Sequence, residues 1–458
     1  MKKITKILIL CLAVSFALLT WYIIDLGYVV HEDIAANRIS TKTSVLKSSN
    51  KTSDISADVS ANLLRRGEYL TRIGNCAGCH TNNGGALYAG GKIIQSQFGR
   101  FIAPNITPDR KTGIGQWTAD NFWQALHFGK APDGSLLYPA FPYTSYTQVS
   151  REDSDAMFAY LQSIPAVSQP SLPHQLRFPY NQRPLLAIWR ALYFRPQLFQ
   201  ANAGKSQQWN RGAYLVNGLG HCSACHSSRN MLGANAGSND LDGGELPVVA
   251  WYAPSLLRLD EAHLSNLSQS ESINLFRKGV ANKAAFSGPM SEVLANSLQY
   301  FSDSDIEALT HYLRELPQKK ETAPDWLDTL SSGSSPTSVT KPEMMAALML
   351  QGAALYKTHC ADCHGAAGEG VPGIYPAMKQ NRALQMTNVA NPIRVVLNGG
   401  FPAVSKHNDR PYGMPPFGPV LSDNEVALVL TYVRNSWGNH GDALSTAEVN
   451  RYRNAPVN

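Results

Sequence analysis

Charge is scarce in this 458-residue chain, since Asp, Glu, Lys and Arg make up only 16% of it. The net charge is +6 and no run of basic residues is present, so we expect no nucleic-acid partner. Cysteine is also scarce, with seven in all, which excludes a dense disulfide scaffold. No glycine-rich nucleotide loop and no Ser/His/Asp set stands out, so no substrate-oxidising site is evident. Hydrophobic residues reach 44%, which excludes global disorder.

The longest apolar run lies at the N-terminus. Residues 7–24 carry no charge and follow three lysines. A helix of that length rises about 27 Å, close to the ~30 Å hydrocarbon core, and the lysines favour the cytoplasmic side. Two interpretations stay open: an uncleaved anchor with Trp21 and Tyr22 at the interface, or a signal peptide cleaved near Ala35 and Ala36. Either places the body of the protein on the periplasmic side of the inner membrane.

Six of the seven cysteines form three C-x-x-C pairs, each followed directly by histidine. C-x-x-C-H is the attachment signature of haem c, in which two thiols form thioethers and the histidine binds the iron. A redox dithiol or half of a zinc site competes, but three copies with no spare cysteine outside the apolar run favour three covalent haems c. The predicted attachment residues are Cys76, Cys79, Cys222, Cys225, Cys360 and Cys363, and the predicted proximal iron ligands are His80, His226 and His364.

The sequence around the motifs repeats as well. A string with Gly and an aromatic precedes each motif, at residues 66–70, 211–215 and 351–356. An apolar-periodic segment that opens with Ser and acidic residues ends each repeat and predicts a helix. These segments are residues 154–164, 303–316 and 422–437. Each has a tyrosine at a matching place, which we expect to pack the last helix of the repeat against the first: Tyr160, Tyr312 and Tyr432.

Each third of the chain therefore resembles a class I cytochrome c domain. The whole chain resembles the membrane-bound triheme cytochrome c subunits of bacterial periplasmic alcohol, gluconate, sorbitol and fructose dehydrogenases. Similar subunits accompany molybdenum-dependent oxidoreductases. The most specific strings are residues 90–91, 105–108, 137–143 and 413–417. The resemblance implies an all-α fold, with three tandem class I cytochrome c domains after an N-terminal transmembrane anchor.

The predicted organisation follows the motifs and the changes in composition. Residues 1–30 form the signal or transmembrane anchor, and residues 31–60 form a solvated linker. Cytochrome c domains occupy residues 61–170, 205–317 and 343–440. An interdomain segment at residues 171–204, a linker at 318–342 and a C-terminal tail at 441–458 complete the chain.

The resemblance implies that a methionine from the loop before the last helix binds the far side of each iron. Met414 lies in Tyr-Gly-Met-Pro-Pro-Phe, and Met290 follows Ser-Gly-Pro. We predict that they ligate the third and second haem irons, respectively. Met378 and Met231 lie too close to their haem motifs and are interpreted as packing residues.

The first repeat departs from this pattern. Phe141 stands where the ligand is expected, in Tyr-Pro-Ala-Phe-Pro-Tyr, and phenylalanine cannot bind iron. The only methionine of the repeat, Met157, lies inside the predicted last helix. His127 is the candidate sixth ligand of the first haem, and a site that is open or holds water is the alternative.

The resemblance implies an electron-transfer subunit. Electrons would pass from a catalytic dehydrogenase subunit of flavin, PQQ or molybdenum type through three haems to ubiquinone or a terminal oxidase. The phenylalanine in the first repeat slightly favours a molybdenum-type partner. Two alternatives stay open: a peroxidase-type enzyme that uses an open first haem, and a free-standing, membrane-anchored electron carrier.

Overall fold

The structure is a computed structural model and describes residues 52–235, 240–246, 248–319, 342–400 and 402–456. The predicted membrane segment lies outside these ranges. Within them, no helix is both long enough and apolar enough to cross a membrane. The chain divides into two compact units, and the larger one, Leu63–Ala187 with Arg195–Asn458, contains all three C-x-x-C-H motifs.

Helices dominate the described residues. The first repeat contains α1 (Thr52–Ile73), α2 (Cys76–His80), α3 (Ala119–Phe128), α4 (Tyr143–Tyr146) and α5 (Arg151–Ser163). The middle of the chain contains α6 (Leu185–Tyr193), α7 (Gln207–Tyr214), α8 (Gln269–Lys278), α9 (Pro289–Asn296) and α10 (Asp303–Arg314). The third repeat contains α11 (Pro342–His359), α12 (Ala361–His364), α13 (Ala390–Asn398), α14 (Asp423–Arg434) and α15 (Thr446–Arg453).

Short strands accompany the helices, so the all-α prediction holds only as a mostly helical fold. The three antiparallel sheets among the described residues are β1 (Ile93–Ser96), β2 (Gly99–Ile102) and β3 (Gln175–Leu176); β4 (Gly244–Leu246) and β5 (Trp251–Ala253); and β6 (Val280–Ala281) and β7 (Ala284–Ala285). Residues 93–102 have isoleucines and phenylalanines on both sides of a short polar turn with Gly99, which favours a hairpin. The helix-based prediction did not use this signal. β3 belongs to the predicted interdomain segment but pairs with β2, so this segment completes a sheet of the first repeat.

The first and last helices of each repeat cross at a glycine. A Cβ atom placed on this glycine would lie 2.6–2.8 Å from the Cβ of the facing tyrosine, closer than two side chains can approach. The pairs are Gly67 with Tyr160, Gly212 with Tyr312, and Gly352 with Tyr432. The packing role predicted for the three tyrosines is therefore confirmed, and one mode of helix crossing occurs three times along the chain.

An arginine of the first helix holds an aspartate at the start of the last helix in each of the first two repeats. Arg66 Nε donates to Asp153 Oδ1 at 2.8 Å, and Arg211 Nε donates to Asp305 Oδ1 at 2.8 Å. The aspartate side chains are only 3% and 9% exposed. A buried carboxylate is tolerated only when it is paired and hydrogen-bonded, so these contacts fix each helix pair.

Each of these aspartates also accepts a hydrogen bond from a tyrosine of the other repeat. Tyr214 OH donates to Asp153 Oδ2 and Tyr69 OH donates to Asp305 Oδ2, both at 2.6 Å. Burial, followed by the neighbouring aspartate, raises the pKa of Tyr69 to about 12 and also raises that of Tyr214. We call this arrangement the reciprocal contact. It joins the first two repeats through matching residues.

The predicted C-terminal tail contains α15. Ser445 Oγ accepts from the backbone N–H of Glu448, and the Glu448 carboxylate accepts from the backbone N–H of Ser445, which is a capping box. Val449 and Tyr452 are buried in the core of the third repeat. The tail is thus part of the third repeat, and the Ser-x-x-Glu string was the signal in the sequence that the predicted organisation missed.

The predicted linker at residues 31–60 is partly helical in the structure. α1 begins at Thr52, inside the predicted solvated linker at residues 31–60. Ser, Asp and Ala are frequent there, and they favour helix starts and helix propagation. Almost all of the predicted linker at residues 318–342 lies outside the described residues.

Candidate haem-binding sites

The histidines of the first two C-x-x-C-H motifs are oriented by a proline carbonyl. His80 Nδ1 lies 2.8 Å from the Pro104 carbonyl oxygen, and His226 Nδ1 lies 2.7 Å from that of Pro254. When Nδ1–H donates to this oxygen, Nε2 keeps its lone pair for a metal. Burial lowers the pKa of both imidazoles, so both are neutral at pH 7, as an iron ligand must be.

His364 of the third motif has a related setting. Its Nδ1 is buried and has no partner in hydrogen-bonding geometry. Burial lowers the pKa of His364, while the nearby Pro376 carbonyl acts in the opposite direction and raises it. All three histidines therefore face a proline carbonyl, although the third contact is looser.

The six motif cysteines form no disulfide. Burial, followed by the partner thiol, raises the pKa of Cys76 and Cys222 to about 12 and that of Cys360 to about 11. Reactive dithiols instead have pKa values lowered to about 3.5–7.5. A zinc site would need further ligands, but no group of three or more His, Cys, Asp or Glu among the described residues could hold a metal ion. The residues fit covalent haem better than either competing site.

An apolar cavity of about 330 Å³ adjoins the third motif. Cys360, Cys363, His364 and Met414 all line it. Two backbone hydrogen bonds fix Met414, because Gly400 N donates to its carbonyl at 3.0 Å and its own N–H donates to the Gly400 carbonyl at 2.7 Å. The structure thus brings the predicted distal ligand into the same cavity as the predicted proximal ligand.

Met290 lies in the first turn of α9, directly after Pro289. Its side chain is partly buried against the main core. The sequence placed Met290 in a loop, whereas the structure places it on a helix whose start is favoured by proline at the first helical position. Its ligation of the second iron stays a prediction.

Phe141 of the first repeat lies near the first motif. Its ring centre is 5.4 Å from that of Tyr146, whose hydroxyl donates to the Gly74 carbonyl at 2.8 Å, two residues before Cys76. Charge on Cys76 also raises the pKa of Tyr146, after the larger effect of burial. Phe141, which replaces the methionine, thus lies near the first motif, and its ring offers no iron ligand.

His127 is buried on α3, between aromatic neighbours. Its ring stacks on that of Trp123 at 4.5 Å and meets the edge of Phe128 at 4.4 Å. Its Nδ1 lies 3.4 Å from Thr147 Oγ1. Burial lowers the pKa of His127 to about 4, so the imidazole is neutral, as a ligand would be. The described contacts explain its burial by packing, and its role as sixth ligand stays a prediction.

Each candidate site is close in space to the repeat that precedes or follows it in the sequence. α9, which carries Met290, contacts α2 of the first motif, and Lys92 Nζ pairs with Glu292 Oε2 at 3.0 Å across this contact. Burial raises the pKa of the Cys79 thiol, Lys92 lowers it, and Cys225 of the second motif is near enough to raise it further. Phe286 of the second repeat lines the cavity of the third site. The second repeat therefore adjoins both of the other sites.

Comparison with known proteins agrees with this geometry. A family model described as Cytochrome c matches residues 349–437. The chain is 34% identical over 417 residues to the cytochrome c subunit of the quinone alcohol dehydrogenase of Gluconacetobacter polyoxogenes, covering 87% of this chain and 86% of that protein. It is 35% identical over 410 residues to the gluconate 2-dehydrogenase cytochrome c subunit of Pantoea cypripedii, covering 86% and 90%.

A third relative is much longer. The chain is 38% identical over 378 residues to one of the subunits of the nicotinate dehydrogenase of Pseudomonas putida. The match covers 82% of this chain but only 30% of that protein.

C-x-x-C-H motifs whose half-buried histidines keep Nε2 available, in the third repeat beside an apolar cavity, are typical of c-type cytochromes, a class that carries covalently bound haem c. The described fold is mostly helical, as expected for class I cytochrome c domains. The chain belongs to the family of cytochrome c subunits of alcohol, gluconate and fructose dehydrogenases. The relatives support electron transfer from a dehydrogenase and a catalytic dehydrogenase partner.

Proposed function

We propose that this chain is a triheme cytochrome that carries electrons from the catalytic subunit of a periplasmic dehydrogenase to ubiquinone or a terminal oxidase. The repetition of one structural unit carries the proposal. Each C-x-x-C-H motif follows a helix that crosses the last helix of its repeat at a glycine–tyrosine pair. Three such units support three tandem class I cytochrome c domains, each with one haem c.

The adjacency of the three sites supports a path for electron transfer through the chain. Electron transfer over a series of centres requires neighbouring centres to lie close together. α9 of the second repeat contacts the first motif, and Phe286 of the second repeat lines the third cavity. We therefore place the second site between the other two on the path.

The residues of each site have separable tasks in this proposal. When bound, haem c supplies an iron that changes reversibly between two oxidation states. His80, His226 and His364 hold this iron through Nε2, while their proline carbonyls fix the rings. Met290 and Met414 supply thioethers, which raise the potential of their sites. His127 supplies an imidazole in the first site, which would leave that site with the lowest potential.

The partner and the membrane complete the proposal. The N-terminal run at residues 7–24 would anchor the chain in the inner membrane, with its body on the periplasmic side. The relatives named above support a dehydrogenase partner, and its cofactor would be a flavin, PQQ or molybdenum centre.

Counting haems in matched variants tests the central part of the proposal. Mass spectrometry of the denatured, fully matured chain should show three added haem masses. Replacing both cysteines of one motif by alanine should remove one haem mass, in each of three separate variants. A mature chain with fewer than three haems, or a double-cysteine variant that keeps all of them, would overturn the triheme proposal.

Purification from native membranes should also recover a large dehydrogenase subunit, and its absence would favour a free-standing carrier.

A further inference from the structure

The proline carbonyl that faces the second motif histidine belongs to a peptide group whose N–H is also bound. Pro254 and Ser255 follow β5 directly. The Pro254 carbonyl oxygen lies 2.7 Å from His226 Nδ1, and the N–H of the same peptide group, on Ser255, donates to Glu261 Oε2 at 2.7 Å. One peptide group therefore connects the histidine to a carboxylate. We call His226, this peptide group and Glu261 the second-site network.

Glu261 lies among hydrogen-bond donors in the interior. The residue is 6% exposed. Tyr252 OH donates to Glu261 Oε2 at 2.8 Å, and Arg258 Nε lies 3.6 Å from Oε1. Burial raises the pKa of Glu261, whereas these donors, with the Ser255 N–H the strongest of them, lower it. Donors of this kind favour the ionised form, so we expect a carboxylate at neutral pH.

The corresponding peptide groups of the other two sites donate to neutral acceptors. In the first site, the Asn105 N–H donates to Ser171 Oγ at 3.1 Å. In the third site, the Ala377 N–H donates to the Asn282 carbonyl oxygen at 3.2 Å. Of these three hydrogen bonds, the one in the second site is the shortest and ends on a charged acceptor. A hydrogen bond to a charged acceptor is roughly twice as strong as a neutral one.

The carboxylate acts on the histidine through the peptide group. A strong bond to the N–H polarises a peptide group and makes its carbonyl oxygen a better acceptor, because hydrogen bonds in series strengthen one another. A stronger bond from Nδ1–H raises the basicity of the Nε2 lone pair. A more basic ligand stabilises oxidised iron, and hydrogen bonding around the ligands is one of the means by which a protein sets a haem potential.

We propose that Glu261 acts through the Pro254–Ser255 peptide group to strengthen the hydrogen bond of His226 and thereby lowers the potential of the second haem. Glu261 is a positioning residue, since it acts through the peptide group and not by contact with the iron. The inference rests on the proposed function, because it requires a haem on the second motif. The effect works toward a second potential below the third, which favours electron flow in that direction.

Glu261→Gln in the haem-loaded, full-length protein tests the network, because the amide oxygen can still accept from the Ser255 N–H but carries no charge. Redox titration should show a rise in the potential of the second haem and no comparable rise in the other two. The second haem is identified as the one lost when Cys222 and Cys225 are both replaced by alanine. In NMR spectra of the reduced protein with isotope-labelled histidine, the Nδ1–H proton of His226 should move upfield, since a weaker hydrogen bond deshields a proton less.

Two further variants separate the peptide group from simple loss of charge. Asp242 Oδ1 accepts from Ser255 Oγ at 3.0 Å, so Asp242→Asn removes a nearby charge without changing the acceptor of the peptide N–H. This control should leave the His226 proton signal in place and shift the second potential less than Glu261→Gln does. Glu261→Asp keeps the charge but shortens the reach to the peptide group. It should also raise the potential and move the proton signal, and it gives a second measurement if Glu261→Gln fails to accumulate.

Haem content is measured first, so that failure of the network is distinguished from failure of the proposed function. A wild-type chain without the second haem would overturn the triheme proposal and this inference with it. With three haems present, an unchanged second potential in Glu261→Gln overturns the role of Glu261 alone. A raised potential with an unmoved His226 proton signal also overturns it, because the charge would then act on the iron directly through space.

Discussion

Replacing Tyr69 with phenylalanine should weaken the junction between the first two repeats. The hydroxyl of Tyr69 donates to Asp305 Oδ2 at 2.6 Å and accepts from the Ser302 N–H at 3.2 Å. Without it, Asp305 stays buried with Arg211 as its remaining side-chain donor from another helix. A hydrogen bond to a charged group contributes about 1.5–3 kcal/mol, so we expect the free energy of unfolding to fall by about 2 kcal/mol.

The pH dependence of stability gives an independent estimate of how much Tyr69 contributes to the free energy of unfolding. Burial and Asp305 raise its pKa from 10.0 to about 12. A group whose pKa is higher in the folded state than in the unfolded state stabilises the fold. This stabilisation is complete below the unfolded-state pKa and is lost as the pH rises through the folded-state pKa. The wild-type protein should therefore lose about 2 kcal/mol from this group between pH 10.0 and about 12, and the phenylalanine variant should lack this loss.

Denaturant unfolding of the haem-loaded protein, followed by circular dichroism, measures both effects. Tyr180 is 39% exposed, and Tyr180→Phe is the matched control, with an expected change within about 0.5 kcal/mol. The reasoning is refuted if Tyr69→Phe is as stable as this control at neutral pH. It is equally refuted if the alkaline loss of stability is the same with and without the Tyr69 hydroxyl.

Four further substitutions probe one helix crossing and the iron ligands. Gly352→Ala should cost about 1–3 kcal/mol in denaturant unfolding, because the new Cβ would lie 2.6 Å from that of Tyr432; an unchanged midpoint would contradict the crossing. Met290→Ala and Met414→Ala should each lower the potential of one haem, since a thioether stabilises reduced iron, and redox titrations identical to wild type would count against both assignments. His127→Ala should make the first haem high-spin and raise its potential, whereas a low-spin spectrum that persists would exclude His127 as the ligand.

The local features of the sites could be predicted from the sequence because their chemistry fixes their spacing. Covalent attachment requires two cysteines and a histidine in adjacent turns, so C-x-x-C-H needs no knowledge of the fold. The tyrosines of the last helices were also predictable, because a helix that packs on another shows apolar periodicity. The three glycine–tyrosine crossings confirm that expectation.

Contacts between distant parts of the chain could not be predicted in this way. Tyr69 and Asp305 are 236 positions apart, and nothing local in either string indicates that they meet. Arg394 reads as one more solvated charge in the sequence, but it is 1% exposed on α13, which packs on β5. The helix α15 is a different case, since its capping box was visible in the sequence and was overlooked.

The reciprocal contact has a consequence for the order of folding. The first repeat alone would have Asp153 without the Tyr214 hydroxyl and a Tyr69 hydroxyl without an acceptor. Each half thus remains incomplete until the other half is in place, as in an obligate dimer. We therefore expect the first two repeats to mature as one cooperative unit, with neither reaching its final stability while the other is still a nascent chain.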